Sequence, residues 1–148
     1  MATVEHTGFA DAERVFGALQ RDMTRKIVAA GSLAAEKRMR EDIWEKQHIR
    51  NGDMLAAVGP NDYREWLGGG AQDVYPHGDD RRGVRNATKA YVINYGKGKR
   101  PYTKWPKGKR RRNLTGDKFI TGNEEKTEKA VEAAMEAEYD RLLEEALG

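Results

Sequence analysis

The chain has 148 residues, enough for one hydrophobic core and one domain of ordinary size. A charged fraction of 34% and a mean hydropathy of −0.89 point either to a thin core with long solvated elements or, the favoured reading, to a protein that completes its burial against copies of itself. The absence of cysteine excludes disulfides and thiolate chemistry and suits a reducing cytoplasm; no apolar run approaches the roughly 20 residues of a membrane helix, and MATVEHTGFADAERVF lacks the basic-then-apolar order of a signal peptide, so a soluble, unexported protein without a membrane partner is expected.

In chain order, Ala12, Val15, Phe16, Leu19 and Met23 recur at helical spacing after Asp11, which predicts a first helix near 11–20. A second, amphipathic helix is predicted over 24–46 from Ile27, Ala30 and Ala34 with Val28, Ala35, Met39 and Ile43 alongside. Gly31 and Ser32 weaken its middle but permit close helix packing. From Ile49 the periodicity breaks into Asn-Gly, Gly-Pro, triple-glycine and Pro-His-Gly-Asp turn strings, so 49–85 reads as loops and short strands, with Ala71–Tyr75 the best strand candidate.

Asn86–Gly96 fits both a helix face (Ala87, Ala90, Tyr91, Asn94) and, through its Tyr, Val and Ile, a strand; Asn86 as a cap and Gly96 as a left-handed stop favour a short helix. Beyond the LTGDKFITGN connector, Val131, Met135, Tyr139, Leu142 and Ala146 form the apolar stripe of a last helix, 124–147, with Asn123 or Thr121 as its cap and glutamates on its outer face.

Between these two helices lies KGKRPYTKWPKGKRRRN. Nine of the sixteen residues 97–112 are Lys or Arg and none is acidic, and two prolines and two glycines rule out a long helix or central strand. With a net charge of +3 for the whole chain, this segment's +9 leaves −6 for the rest. Residues 117–148, with ten acidic side chains against four basic, themselves carry −6. Lys97, Lys99, Arg100, Lys104, Lys107, Lys109, Arg110, Arg111 and Arg112, interleaved with Tyr102 and Trp105, combine phosphate neutralisation with aromatic faces suited to stacking on bases. These eleven residues are the candidate contact site, for DNA or for protein. The plainer reading is a solvated basic loop, and attraction to the acidic helix of a neighbouring copy is a third use of the same charge.

Other chemistry is sparse. His6, His48 and His77 fall in three separate segments, and no HExxH, GxxxxGK[ST] or GxSxG string occurs. His77, Asp79 and Asp80 have the right donors for a divalent cation, but Pro-His-Gly-Asp-Asp is first of all a turn sequence. GKGKR and Gly68–Gly70 lack the strand-loop-helix setting of a phosphate loop. No catalytic residue, metal or cofactor is assigned, and no enzyme activity is expected.

Three stretches follow one another along the chain: NGDMLAAV after a long N-terminal helix, VYPHGDDRRGVRNATKAYVINYGKG, and DKFITGNEEKTEKAVEAAMEAEYDRLL. In that order they resemble the TGxLxxS signature, the YPxG…RxAxxA…EYGT segment, and the PF(I/M)xxA motif with its final helix of the tail-component proteins of long-tailed bacteriophages. The likeness runs from about Lys26 to the C-terminus, with Asn94 where an acidic residue is common. It implies a structural virion protein of the head-to-tail connector or neck, of the tail-completion kind: a single α+β domain, 1–148, whose long N-terminal amphipathic helix and C-terminal helix pack on a small β-sheet, with an extended basic loop at 97–116. It further implies a homo-oligomeric ring that lets DNA pass, contacting adjoining connector and tail-tube proteins, with non-specific contact to genomic DNA, in virions assembled in the host cytoplasm. By position, Phe119 and Ile120 would anchor the last helix to the sheet, and Tyr91, Ile93 and Tyr95 would pack under the long helix. From different classes come a monomeric nucleic-acid-binding protein that stacks Tyr102 and Trp105 on bases, and a hydrolase using His77 with the neighbouring aspartates.

Overall fold

A computed structural model describes residues 7–49, 52–96 and 116–148, with side chains from residue 13 onward. The class is α+β, as expected. A helix, α1 (Thr7–Glu45), is followed by a single turn, α2 (Asp53–Ala56), then four short strands, β1 (Val58–Pro60), β2 (Arg64–Trp66), β3 (Gly69–Ala71) and β4 (Val74–Pro76). A third helix, α3 (Asn86–Tyr95), and, after a 3-10 turn at Thr121–Asn123, a fourth, α4 (Glu124–Leu147), complete it.

The two expected N-terminal helices are one. Gly31 and Ser32, the weak point in propensity, are buried where α1 meets α4: a Cβ on Gly31 would stand 2.9 Å from Met135 Cγ and 3.3 Å from Val131 Cγ1. Ser32 Oγ donates back to Val28 O at 2.9 Å, which satisfies the hydroxyl within the helix. Helix-helix packing outweighs the local cost of glycine. The helices run antiparallel, with Gly31 level with Val131 and Met135, and Lys26 within the field of Glu145 near the end of α4. At about 1.5 Å per residue α1 is about 58 Å long and α4 about 36 Å, so the first turns of α1 extend past α4.

The small sheet is a pair of two-stranded ladders. β1 and β4 are antiparallel, with Gly59 opposite Tyr75, and inside that ladder β2 and β3 form a hairpin, with Glu65 opposite Gly70. The single strand expected at 71–75 is therefore divided between β3 and β4. Its interruption is built by side chains: Asp73 N donates to Asn61 Oδ1 at 2.8 Å, Asn61 Nδ2 and Arg64 Nη2 reach Asp73 Oδ2 at 3.2 and 2.6 Å, and Gln72 Nε2 donates to Asn61 O at 2.8 Å. Polar side chains replace the ladder where the ribbon changes from one pair to the other. The glycines of β3 leave room for rings, because a Cβ on Gly70 would overlap Tyr63 and one on Gly69 would stand 2.7 Å from the Trp66 indole nitrogen.

The core, at the C-terminal end of α1, joins Ile43, Met54, Val58, Ala90 and Phe119, with Met39, Leu55, Val74, Ile93 and Ile120 packed against it. Arg40 ties α1 to the turn before β1 by donating to Leu55 O (2.9 Å) and Val58 O (2.7 Å). Phe119, Ile120 and Ile93 thus pack as the resemblance implies. Tyr91 and Tyr95 do not: they are 63% and 59% exposed and lie against each other at 4.7 Å between centroids. On a helix with Ala90 and Asn94 buried, positions one residue on face outward.

Asn86 and Asn123 do not cap in the expected way. The cap position of α3 is Arg85, and Asn86, inside the first turn, donates through Nδ2 to His77 O at 2.9 Å. Asn123 occupies the cap position of α4, but its Nδ2 donates to Phe119 O at 3.0 Å and makes no capping bond. Gly96 ends α3 at the predicted position, but with φ 80° and ψ 173° it is extended at positive φ rather than in the left-handed helical conformation expected.

Candidate functional site

The eleven candidate contact residues, Lys97, Lys99, Arg100, Tyr102, Lys104, Trp105, Lys107, Lys109, Arg110, Arg111 and Arg112, lie outside the described residues. The structure does describe the two points between which they are held. The last carbonyls of α3, unpaired within the helix, accept hydrogen bonds from the returning chain: Asp117 N donates to Ile93 O at 3.0 Å and Lys118 N to Asn94 O at 3.1 Å. A Cβ on Gly116 would overlap the Asn94–Gly96 backbone, so glycine is what lets the two ends touch. The basic segment thus begins and ends at one junction.

That junction is fastened from three sides. Asn94, 1% exposed at the end of α3, accepts at Oδ1 from Ile120 N (2.9 Å), Thr121 N (3.2 Å) and Thr121 Oγ1 (3.5 Å), and so caps the 3-10 turn that leads into α4. Asp117 Oδ1 accepts from Phe119 N at 3.1 Å, and its Oδ2 lies 2.5 Å from His48 Nε2. The His48 ring meets Phe119 edge-on, 5.0 Å between centroids. A left-handed residue at Gln47 (φ 56°) turns the chain out of α1, and His48 N donates to Ile43 O at 3.0 Å, which sets the imidazole over the junction. The pairing of His48 with Asp117 spans 69 positions, and nothing local to either residue signals it.

The Pro-His-Gly-Asp-Asp string forms a turn. His77 Nε2 lies 2.8 Å from Gly59 O, and Asp80 Oδ1 accepts from Arg82 N (2.9 Å) and Val84 N (2.8 Å) while Oδ2 pairs with Lys89. The Lys89 ammonium, then the Val84 and Arg82 N–H groups, lower the Asp80 carboxyl from 3.8 to about 2. Its acceptor sites are taken up internally, and among the described residues no group of three His, Asp or Glu side chains is placed to hold a metal. The triple glycine lies in the β2–β3 hairpin and β3, ahead of no helix.

The apolar side chains Val15, Phe16 and Leu19, whose spacing predicts the first helix, are exposed. The hairpin tip carries Trp66 and Leu67, also exposed, and a groove of about 390 Å³ runs between the tip and Gly17, Gln20 and Thr24 of α1. No helix among the described residues is long and apolar enough to cross a membrane. No family model, curated protein or solved structure matches this chain.

Proposed function

We propose that the chain is a structural subunit of the head-to-tail connector or neck of a long-tailed bacteriophage, acting as a homo-oligomeric ring that joins or completes the tail and lets DNA pass, without catalysis. The observation that carries this reading is the fastened junction of Ile93–Gly96 with Gly116–Thr121, which holds both ends of a segment bearing nine cations at one place on the domain. A segment so charged contributes little to a core and suits contact with an acidic surface or a polyanion, here a sister subunit's last helix, a neighbouring virion protein or the genome. The order of sequence motifs supports the same reading, as does a small main core cluster, Ile43, Met54, Val58, Ala90 and Phe119.

The test is electron microscopy of particles produced without this protein. Full heads and unjoined tails, or tails of faulty length, are expected; joined particles of normal tail length overturn the proposal. Titration with duplex DNA at two salt concentrations separates out the nucleic-acid-binding alternative. A monomer that relies on most of these cations loses several orders of magnitude in affinity between about 50 and 200 mM salt.

A further inference from the structure

We infer that neighbouring copies of this chain meet through the first turns of α1, with Val15, Phe16 and Leu19 of one copy seated on the hairpin tip, Trp66 and Leu67, of the next. This rests on the ring reading above and names the contact that would build the ring.

Among the described residues nothing covers the two patches. Phe16 is 69% exposed and Leu67 fully so, and Val15 and Trp66 are more than half exposed. They are similar in size. With about 150–250 Å² for a whole aromatic side chain, each patch offers roughly 300 Å² of apolar surface. A contact that joins them covers about 600 Å² of apolar area, which at the usual apolar share corresponds to a total of about 1,100 Å², above the roughly 1,000 Å² that a specific interface needs.

Their placement favours a head-to-tail contact. At about 100° per residue, Val15, Phe16 and Leu19 lie on a face about 130° around the helix from Gly17, Gln20 and Thr24, which border the groove beside the hairpin tip. The two faces are level along the helix. Pairing one with the other is a heterologous contact, which closes a ring where the rotation between copies divides a full turn. A two-fold pairing of Phe16 with Phe16 would cover one patch and leave Trp66 and Leu67 bare.

Gly17 fits the role of a receiving notch. It sits inside a helix, where glycine is costly, and no described atom lies within 4 Å of where its Cβ would stand. Nothing in the described chain calls for glycine there, whereas a ring from a neighbour needs that space.

Because the natural chain has no cysteine, cross-linking reads the contact directly. Phe16→Cys and Leu67→Cys are purified separately, concentrated, mixed and oxidised. The expected result is a covalent dimer in the mixture that neither variant forms alone, and a ladder of multimers from the double variant. A dimer from Phe16→Cys alone would replace the contact with a two-fold pairing, and a mixture that gives no dimer would remove it. Gly17→Ala supplies a second reading: a melting temperature equal or higher, because a better helix former replaces glycine, with association by light scattering weakened at least tenfold. Unchanged association overturns the notch. Normal particles in the absence of the protein would instead count against the neck function, whatever the cross-links show.

Discussion

Asn94→Ala tests whether one side chain holds the base of the basic segment. Removing Oδ1 leaves Ile120 N–H and Thr121 N–H without their acceptor at a site where Asn94 is 1% exposed. Each buried N–H left unpaired costs about 1–3 kcal/mol, for a gross loss of about 2–6 kcal/mol. Two gains offset it. Alanine is the better helix former by about 0.5 kcal/mol, and the substitution removes Asn94 Nδ2, a buried donor without a partner among the described residues. A net loss of about 2 kcal/mol follows, or a fall of about 4–8 °C in melting temperature for a domain of this size. Urea denaturation measures the loss, and amide hydrogen exchange at Ile120 and Thr121 locates it. A loss below about 0.5 kcal/mol, or unchanged exchange at those two amides, would refute the account. Asn94→Asp keeps the acceptor and removes the unpartnered donor, and is expected to retain more stability at pH 7 than Asn94→Ala.

Other expectations concern packing and charge. Gly31→Leu drives a side chain into Met135 and Val131 and should lower stability by about 3 kcal/mol by urea denaturation, with partial recovery when combined with Met135→Ala; additivity of the two changes would contradict direct contact. Asp80, lowered to about 2 by Lys89 and its turn, contributes stability that is present above its ordinary 3.8 and lost as pH falls from about 4 to 2; Asp80→Asn should flatten that acid limb in pH-dependent melting. Asp42 behaves oppositely, since burial, only partly offset by Arg38, raises its carboxyl above 3.8: folding favours the protonated form, stability falls as pH rises past 3.8, and Asp42→Asn should melt higher than the natural protein at pH 7, by a margin that closes towards pH 3. Replacing Arg110, Arg111 and Arg112 together by Gln should impair particle assembly while moving the subunit's melting temperature by about 2 °C or less, and a large fall in melting temperature with assembly intact would contradict the proposed role.

Local patterns in the sequence carried much of the fold. The apolar stripe of α4, the glycine stop at Gly96 and the broken strand-and-turn stretch before α3 are all readable because each depends on neighbours within a few residues. The turn at Pro-His-Gly-Asp-Asp was readable for the same reason, its Asp80 bonds being to Arg82 and Val84. The helix through Gly31 was readable too, whereas the joining of the expected helices 11–20 and 24–46 across 21–23 into one α1 was not, since two apolar stripes at helical spacing do not say whether the backbone between them is unbroken.

The candidate site divides along the same line. The concentration of cations in residues 97–112 is a property of composition, visible without coordinates. Which groups hold that segment's ends together is a matter of tertiary structure: Asn94 reaching Ile120 and Thr121, and His48 reaching Asp117, join stretches with no shared local signal. So too with the exposed stripe of Val15, Phe16 and Leu19. Periodicity says that a helix has an apolar face, but only the relative lengths and placement of α1 and α4 decide how far along that face a partner helix reaches.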